Sequence, residues 1–233
     1  MGQKVLFVDA INMLVFDRDT SIPTVVAYSE SSSPAIGYDA VSRAQGTESI
    51  NQEFKISLGD IRPGSSSLSR RKFATGDGKK RSAYEIAKDF FEVLDRQVTS
   101  SLDEKRLDPA KQALVSEPLS FYEEESEDWI ANYRANLRRM LSGRFKTIDF
   151  LPEPFAVYQY YRYGYKHPLV TESKKIFALV LDFGGGTFDA ALLRVEEGIM
   201  KVIDTEGDNY LGGKNLDYAI VDEIIIPYFI ENY

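Results

Sequence analysis

The sequence predicts an α/β protein in which mixed sheets are flanked by helices. Three observations carry that prediction. Runs rich in β-branched and aromatic residues stand near both ends of the chain, VLFVDA and TVVAY early, IFALVLDF, TFDAALLRV and IMKVIDTEGD late. Between them lie two stretches whose apolar residues recur at helical spacing. A glycine-rich turn, Gly184 to Gly186, then joins two of the late strands. Strands, then helices, then strands again stack most simply as layers with helices covering sheets.

Taken in order, VLFVDA, TVVAY and the short AIGY read as strands, Ser42 to Asp60 is mixed, and PGSSSLSRR reads as an exposed loop. From Ala83 to Val98, residues Ala87, Phe90, Phe91, Leu94 and Val98 fall on one face of a helix. A second helix starts at Ser126, an N-cap residue followed by Glu127 and Asp128 in the first turn. It buries Trp129, Tyr133, Leu137 and Met140, and Gly143 is placed to end it. FKTIDFLPEPFAVYQYYRYGY reads as a short strand, a proline-framed turn and a third helix. The three late runs read as consecutive antiparallel strands, and a last helix begins at about Asn215. The chain stops at PYFIENY with no closing element, which reads as a fragment.

Composition narrows the function classes. A length of 233 residues allows one large domain or two small ones, and 43% hydrophobic with 27% charged residues is an ordinary soluble balance. The net charge of -8 argues against a nucleic-acid or anionic-membrane surface, NLRRMLSGRFK being the one basic stretch of note. With no cysteine there is neither a disulfide frame nor thiolate chemistry, which fits a reducing compartment. The single His167 cannot build a histidine-rich metal site. No apolar run is long enough to span a bilayer. MGQKVLFV lacks a signal-peptide pattern, and Leu6 stands where a myristoylation signal wants Ser or Thr, so a cytoplasmic location is expected.

The glycine turn is where chemistry concentrates. A Walker loop fails: its nearest approach, GDNYLGGKN from Gly207 to Asn215, has a glycine too many and Asn in place of the magnesium-binding hydroxyl. A dinucleotide fingerprint fails too, because residues 187 to 195 alternate as a strand and not as a helix. The turn therefore joins two strands. Its glycines permit positive φ and leave backbone N–H groups unshielded, so successive amides can form an anion nest. Asp182 and Asp189 flank that nest, and two carboxylates beside a phosphate require a cation between them, for which Mg²⁺ with its retained waters is suited. On spacing alone, a phosphate hairpin and a plain turn between buried strands are equal readings.

LDFGGGTFD resembles the second phosphate motif of the actin-like ATPase superfamily, in the form carried by the DnaK-type heat shock protein 70 chaperones. EPFAVYQYY resembles that family's EPTAAALAY, and DTEGDNYLGGKNLD resembles its stretch ending GGEDFD. SIPTVVAY with AIGYDAVSRA resembles the early strand before its first helix, and FKISLGD the segment with its catalytic lysine. The similarity is strongest from Ile148 to Asp217. It implies an α/β fold of the actin-like ATPase (ribonuclease H-like) type with an incomplete second lobe. Residues 1–170 would form the first lobe without its opening phosphate hairpin, and 171–233 the start of the second lobe with the glycine hairpin.

The resemblance also implies cofactors and roles. ATP or ADP with Mg²⁺ would bind, Asp182 and Asp189 holding metal waters and Gly184, Gly185, Gly186 and Thr187 cradling the β- and γ-phosphates. Glu153 would accept a hydrogen bond from the hydrated metal or the attacking water, and Lys55 would stabilise the γ-phosphate. Gly212 and Gly213 would line the cleft on the adenosine side. Lys55 also reads as a solvated surface lysine, and Glu153 as a carboxylate favoured at a helix N-terminus. The tyrosines of YQYYRYGY read as core and surface of one helix, EEESED as a solvated acidic turn.

VDAINML departs from the family's first phosphate motif: Ile11 and Asn12 follow Asp9 where Gly and Thr belong. GQKVLFVDAIN aligns better with the family's next strand, which places the first hairpin upstream. The functional expectation is a partial ATP-binding domain of a heat-shock-type chaperone, hydrolysis in the intact protein driving peptide binding and release with co-chaperones. The alternative is an inactive interaction module that keeps the fold, and a sugar or acid kinase of the same superfamily is a third reading. Turnover by this chain alone is not expected, since positioning and electrostatics supply nearly all phosphoryl-transfer catalysis.

Overall fold

The computed structural model describes residues 3–4, 21–30, 32–44, 50–64, 72–118, 126–164, 175–196, 199–208 and 211–232. VLFVDA with Asp9, Ile11 and Asn12, most of the PGSSSLSRR loop, the start of EEESED and His167 lie outside them. The elements in chain order are β1 (Gln3–Lys4), β2 (Val26–Ser29), β3 (Ser32–Ile36), α1 (Gly37–Ala44), β4 (Ile50–Asn51) and α2 (Phe54–Gly59). There follow β5 (Lys72–Ala74), β6 (Lys80–Ser82), α3 (Ala83–Glu104), β7 (Gln112–Glu117) and α4 (Ser126–Leu141). The remainder is β8 (Thr147–Pro152), α5 (Glu153–Gly164), β9 (Ile176–Phe183), β10 (Phe188–Glu196), β11 (Ile199–Asp208), α6 (Gly213–Ile220) and α7 (Ile226–Asn232). They are mixed α/β, as expected, and divide into two compact units.

One unit comprises Ala10–Val115 and Glu124–Asp149. Its three-stranded sheet has the order β3-β2-β4, with Val26 opposite Ile36 on one side and Asn51 on the other. Val25, Ala27, Ala35 and Ala40 form a small-residue core with Ile50 packed against it. The long helix α3 starts at a capping box: Ser82 accepts from the Glu85 amide while Glu85 accepts from the Ser82 amide. It buries Ala83, Ile86, Ala87 and Phe90, and Phe90 meets Phe54 of α2 with ring centroids 6.1 Å apart. The helix thus begins where the apolar spacing predicts, and Phe91, Leu94 and Val98 on its expected face are half-buried.

The β5–β6 hairpin is tied by an ion pair. Arg81 donates from both terminal nitrogens to the Asp77 carboxylate at 2.7 Å each, with the guanidinium 3.9 Å from the centre of the Tyr28 ring. The Tyr28 hydroxyl in turn donates to Asp89 at 2.8 Å, and burial with that carboxylate pushes its pKa above the ordinary tyrosine value. The hydrogen bond from Arg81, then that from Thr75, holds Asp77 well below the usual carboxylate range. A carboxyl depressed in the folded state adds stability above its unfolded pKa of about 4 and loses it as pH falls through the folded value. Wild type should therefore be more stable than Asp77→Asn near neutral pH, and the gap between their denaturant midpoints should narrow progressively as pH falls below about 4. A constant gap would refute the ion pair as its source.

The second unit comprises Met1–Asp9, Ser116–Glu123 and Phe150–Tyr233. Its four-stranded sheet has the order β1-β11-β10-β9, every neighbouring pair antiparallel, so the three late strands pair as their alternation predicts. Along β10, Asp189, Ala191, Leu193 and Val195 are buried. With Phe155, Val180 and Met200 the three apolar ones form the core, and Phe155 brings α5 onto that face. Phe177, Leu179, Leu181 and Phe183 of β9 point the other way and are 50–65% exposed. Two expectations need correcting. No turn separates β8 from α5, because Pro154 falls in the first helical turn, where no N–H is needed. The last helix begins at Gly213 and passes through a π-helical turn at Val221–Ile225, where Ile226 donates to the Val221 carbonyl. Pro227, which has no amide to donate, follows directly, a common setting for such a turn.

Candidate functional site

The loop between β9 and β10 is four residues long, Gly184 to Thr187, and closes with the Gly184 amide donating to the Thr187 carbonyl at 2.9 Å. Phe183 and Phe188 pair across its base, and the next pair is Asp182 opposite Asp189. In an antiparallel ladder such a pair shares one face. Both carboxylates therefore stand at the loop end of the core face, Asp189 buried and Asp182 half-buried.

The glycines serve close approach and not left-handed backbone. Positive φ occurs at Gly37, Gly64 and Gly78 among the described glycines, so the expected use of that freedom at Gly184 to Gly186 is not found. Room is what they provide. A Cβ on Gly212 would lie 2.5 Å from the Gly186 nitrogen and 2.7 Å from the Gly185 carbonyl carbon. Gly212 can therefore rest directly on the hairpin backbone. The first amides of α6 follow it: Gly213 donates to the Gly184 carbonyl and Lys214 to the Gly185 carbonyl, each at 2.9 Å. Asn215 closes this entry turn, its side-chain oxygen accepting from the Gly212 amide at 2.9 Å. A methyl on the exposed Gly185 would meet nothing within 4 Å, so this part of the loop borders open space.

The structure thus brings together Asp182, Gly184, Gly185, Gly186, Thr187, Asp189, Gly212 and Gly213. Glu153 opens α5, the helix whose Phe155 joins the core beneath the two aspartates' face. Lys55 belongs to the other unit, half-buried in the first turn of α2. That helix follows Glu53, which is held at φ 62, in the left-handed region uncommon for a residue with a side chain. Its carbonyls are met from α4: Trp129 Nε1 donates to Ile56 at 3.0 Å, Asn132 to Gly59 at 3.1 Å, and Asn136 to Leu58 at 2.9 Å. Those bonds complete acceptors a short helix leaves open.

Lys214 is the residue the sequence reading passed over. It appeared there only within the failed Walker pattern and the GGKNLD resemblance, with no role of its own, yet its Nζ lies 3.2 Å from where a Cβ on Gly186 would stand. No spacing rule links positions 186 and 214, so only the fold reveals it. Among the described residues there is no cluster of three or more His, Cys, Asp or Glu suited to bind a metal directly. No described helix is long and apolar enough to cross a membrane.

Comparison with known proteins fits this hairpin. Residues 162–232 match the family model described as Hsp70 protein. A chaperone protein HscA homolog of Rickettsia rickettsii (strain Sheila Smith) is 31% identical over 148 residues, 64% of this chain and 22% of the relative. The Rickettsia typhi (strain ATCC VR-144 / Wilmington) homolog is 31% identical over 154 residues, 66% and 23% of the two chains. That of Rickettsia felis (strain ATCC VR-1525 / URRWXCal2) is 38% identical over 88 residues, 38% and 13%. The chain spans about a fifth of the length of the first two relatives. Over part of its length the chain is thus similar to Hsp70-type sequences, and the stretch matched by the family model includes LDFGGGTFD.

Proposed function

Starting from a chain that is similar to Hsp70-type sequences over part of its length, we propose that it binds the phosphates of ATP or ADP with Mg²⁺ on the Gly184–Thr187 hairpin. In this reading it is part of an actin-like ATPase domain of a chaperone, with residues 1–170 in the first lobe and 171–233 opening the second. The observation that carries the reading is the seating of Gly212 and the α6 amides on the glycine hairpin. That arrangement leaves Gly185 bordering open space, with the Asp182–Asp189 pair just below the loop, beyond Phe183 and Phe188. The residues fit the group: hard carboxylate oxygens suit hydrated Mg²⁺, and a backbone without Cβ atoms suits a phosphate.

Asp182 and Asp189 would hold metal waters, and Gly184, Gly185, Gly186 and Thr187 the phosphates. Gly212 and Gly213 would shape the cleft wall, while Glu153 and Lys55 would take the catalytic roles the family resemblance gives them. Magnesium, when bound, neutralises phosphate charge that the aspartates would otherwise repel. Unfolded peptides and co-chaperones are the partners proposed for the intact protein, and a cytoplasmic setting goes with them. A second reading, an interaction module without turnover, is favoured by the exposed apolar row Phe177, Leu179, Leu181 and Phe183.

Calorimetric titration with ATP and Mg²⁺ separates the two. Wild type should bind, and Asp182→Asn should weaken binding by about tenfold or more, as loss of a charged metal-water acceptor implies. Absence of heat with either protein would sink nucleotide binding and leave the interaction module.

A further inference from the structure

We propose that Lys214 is a phosphate-binding residue of this hairpin, a cation carried by the chain itself beside the one supplied by magnesium. The inference rests on the nucleotide reading above and adds a residue to it. Two features fix Lys214 there. Its amide donates to the Gly185 carbonyl at 2.9 Å, so its backbone is pinned to the loop. Its side chain then folds back over the loop: a methyl on Gly186 would meet Nζ at 3.2 Å, Cε at 3.5 Å and Cδ at 3.9 Å. Its last three heavy atoms thus lie over a residue that has no side chain.

The electrostatics give that position a use. Asp182 and Asp189 place two carboxylates at the base of the same hairpin. A polyphosphate brought to the loop meets their repulsion, and one divalent ion offsets only part of the combined negative charge. An ammonium at the loop's tip offsets more, and it does so where the backbone approaches the anion. Because Lys214 acts on charge, its effect belongs to the phosphate part of a ligand and not to the base or ribose. It should also be weakened by salt, since screening acts on partly exposed charges.

The test uses the whole 233-residue chain and three probes: ADP with Mg²⁺, inorganic pyrophosphate with Mg²⁺, and adenosine. Wild type, Lys214→Gln, Lys214→Arg and Asp182→Asn are titrated by calorimetry at low and high salt, with a thermal melt of each. Lys214→Gln should weaken ADP and pyrophosphate by about tenfold at low salt and less at high salt, as loss of one charge-assisted contact predicts. Any adenosine affinity should be unchanged, and Lys214→Arg should restore most of the phosphate affinity. If Asp182→Asn loses ADP while Lys214→Gln binds like wild type, Lys214 is no ligand and the nucleotide site still stands. If Lys214→Gln lowers the melting temperature and weakens adenosine and ADP alike, its role is structural, and the proposal fails. If wild type binds neither ADP nor pyrophosphate, both proposals fall together.

Discussion

Gly212→Ala should dismantle the hairpin site. The added methyl would sit 2.5 Å from the Gly186 nitrogen, 2.6 Å from its Cα and 2.7 Å from the Gly185 carbonyl carbon. All three are backbone atoms, so no side-chain rotation relieves the clash. Either the loop or the start of α6 must move away, and the bonds from Gly213 and Lys214 to the loop carbonyls go with it. Overpacking of this kind costs about 1–3 kcal/mol, and each lost hydrogen bond about another 1 kcal/mol. Thermal melting should show the loss, and titration with ATP and Mg²⁺ should show no binding. Gly185→Ala is the control, because its methyl meets nothing within 4 Å. It should melt within about 1 kcal/mol of wild type while binding ATP less well, since its methyl shields the backbone proposed to meet the phosphates without disturbing the frame. A Gly212→Ala protein that melts and binds like wild type would show that α6 does not seat on the loop.

Gly59→Ala should be the most damaging single change in the unit that carries Lys55. Its methyl would collide with the Cε2, Cδ2 and Nε1 atoms of the Trp129 indole. That ring is held twice, by its bond to the Ile56 carbonyl and by stacking on Tyr133 with centroids 5.1 Å apart. Displacing it breaks both and leaves a carbonyl of α2 without its donor. The expected loss is about 2–4 kcal/mol, the sum of overpacking and one unmade buried bond. Trp129 is the only tryptophan, so its emission reports the displacement directly. Shrinking the obstacle should help: Gly59→Ala with Trp129→Leu should be less destabilised than the two single changes added together, as neighbours sharing one space are not additive. Strict additivity would mean the two residues do not meet.

The sequence made the elements legible and left their meetings hidden. Period-two alternation from Thr187 onward identified β10, and apolar residues at helical spacing identified α3 and α4, because each signal lies within one short window. The helix at FKISLGD was not read, since six residues are too few to show a period. Asn136 was missed for another reason. An asparagine amid a helix reads as solvent-facing, yet it is 1% exposed and donates to the Leu58 and Ile61 carbonyls. For the site, the motif named the loop and its two aspartates. It could not say why glycine is required at 212, because the reason is contact between segments far apart in the chain. The positive-φ rationale failed on the same point: the loop needs bareness, which composition cannot distinguish from left-handed backbone.

The pairing of Gly213 and Lys214 with the carbonyls of Gly184 and Gly185 has a consequence for motion. Two peptide groups of the hairpin tip are acceptors for another segment, so the tip's shape is not a local property of its four residues. A detached hairpin would keep its strands' register and lose the tip's geometry. The tip and the first turn of α6 must open and close as one cooperative unit. Whatever fixes α6 therefore orders the loop, and whatever fills the loop protects two amides that lie nearly thirty residues further along the chain.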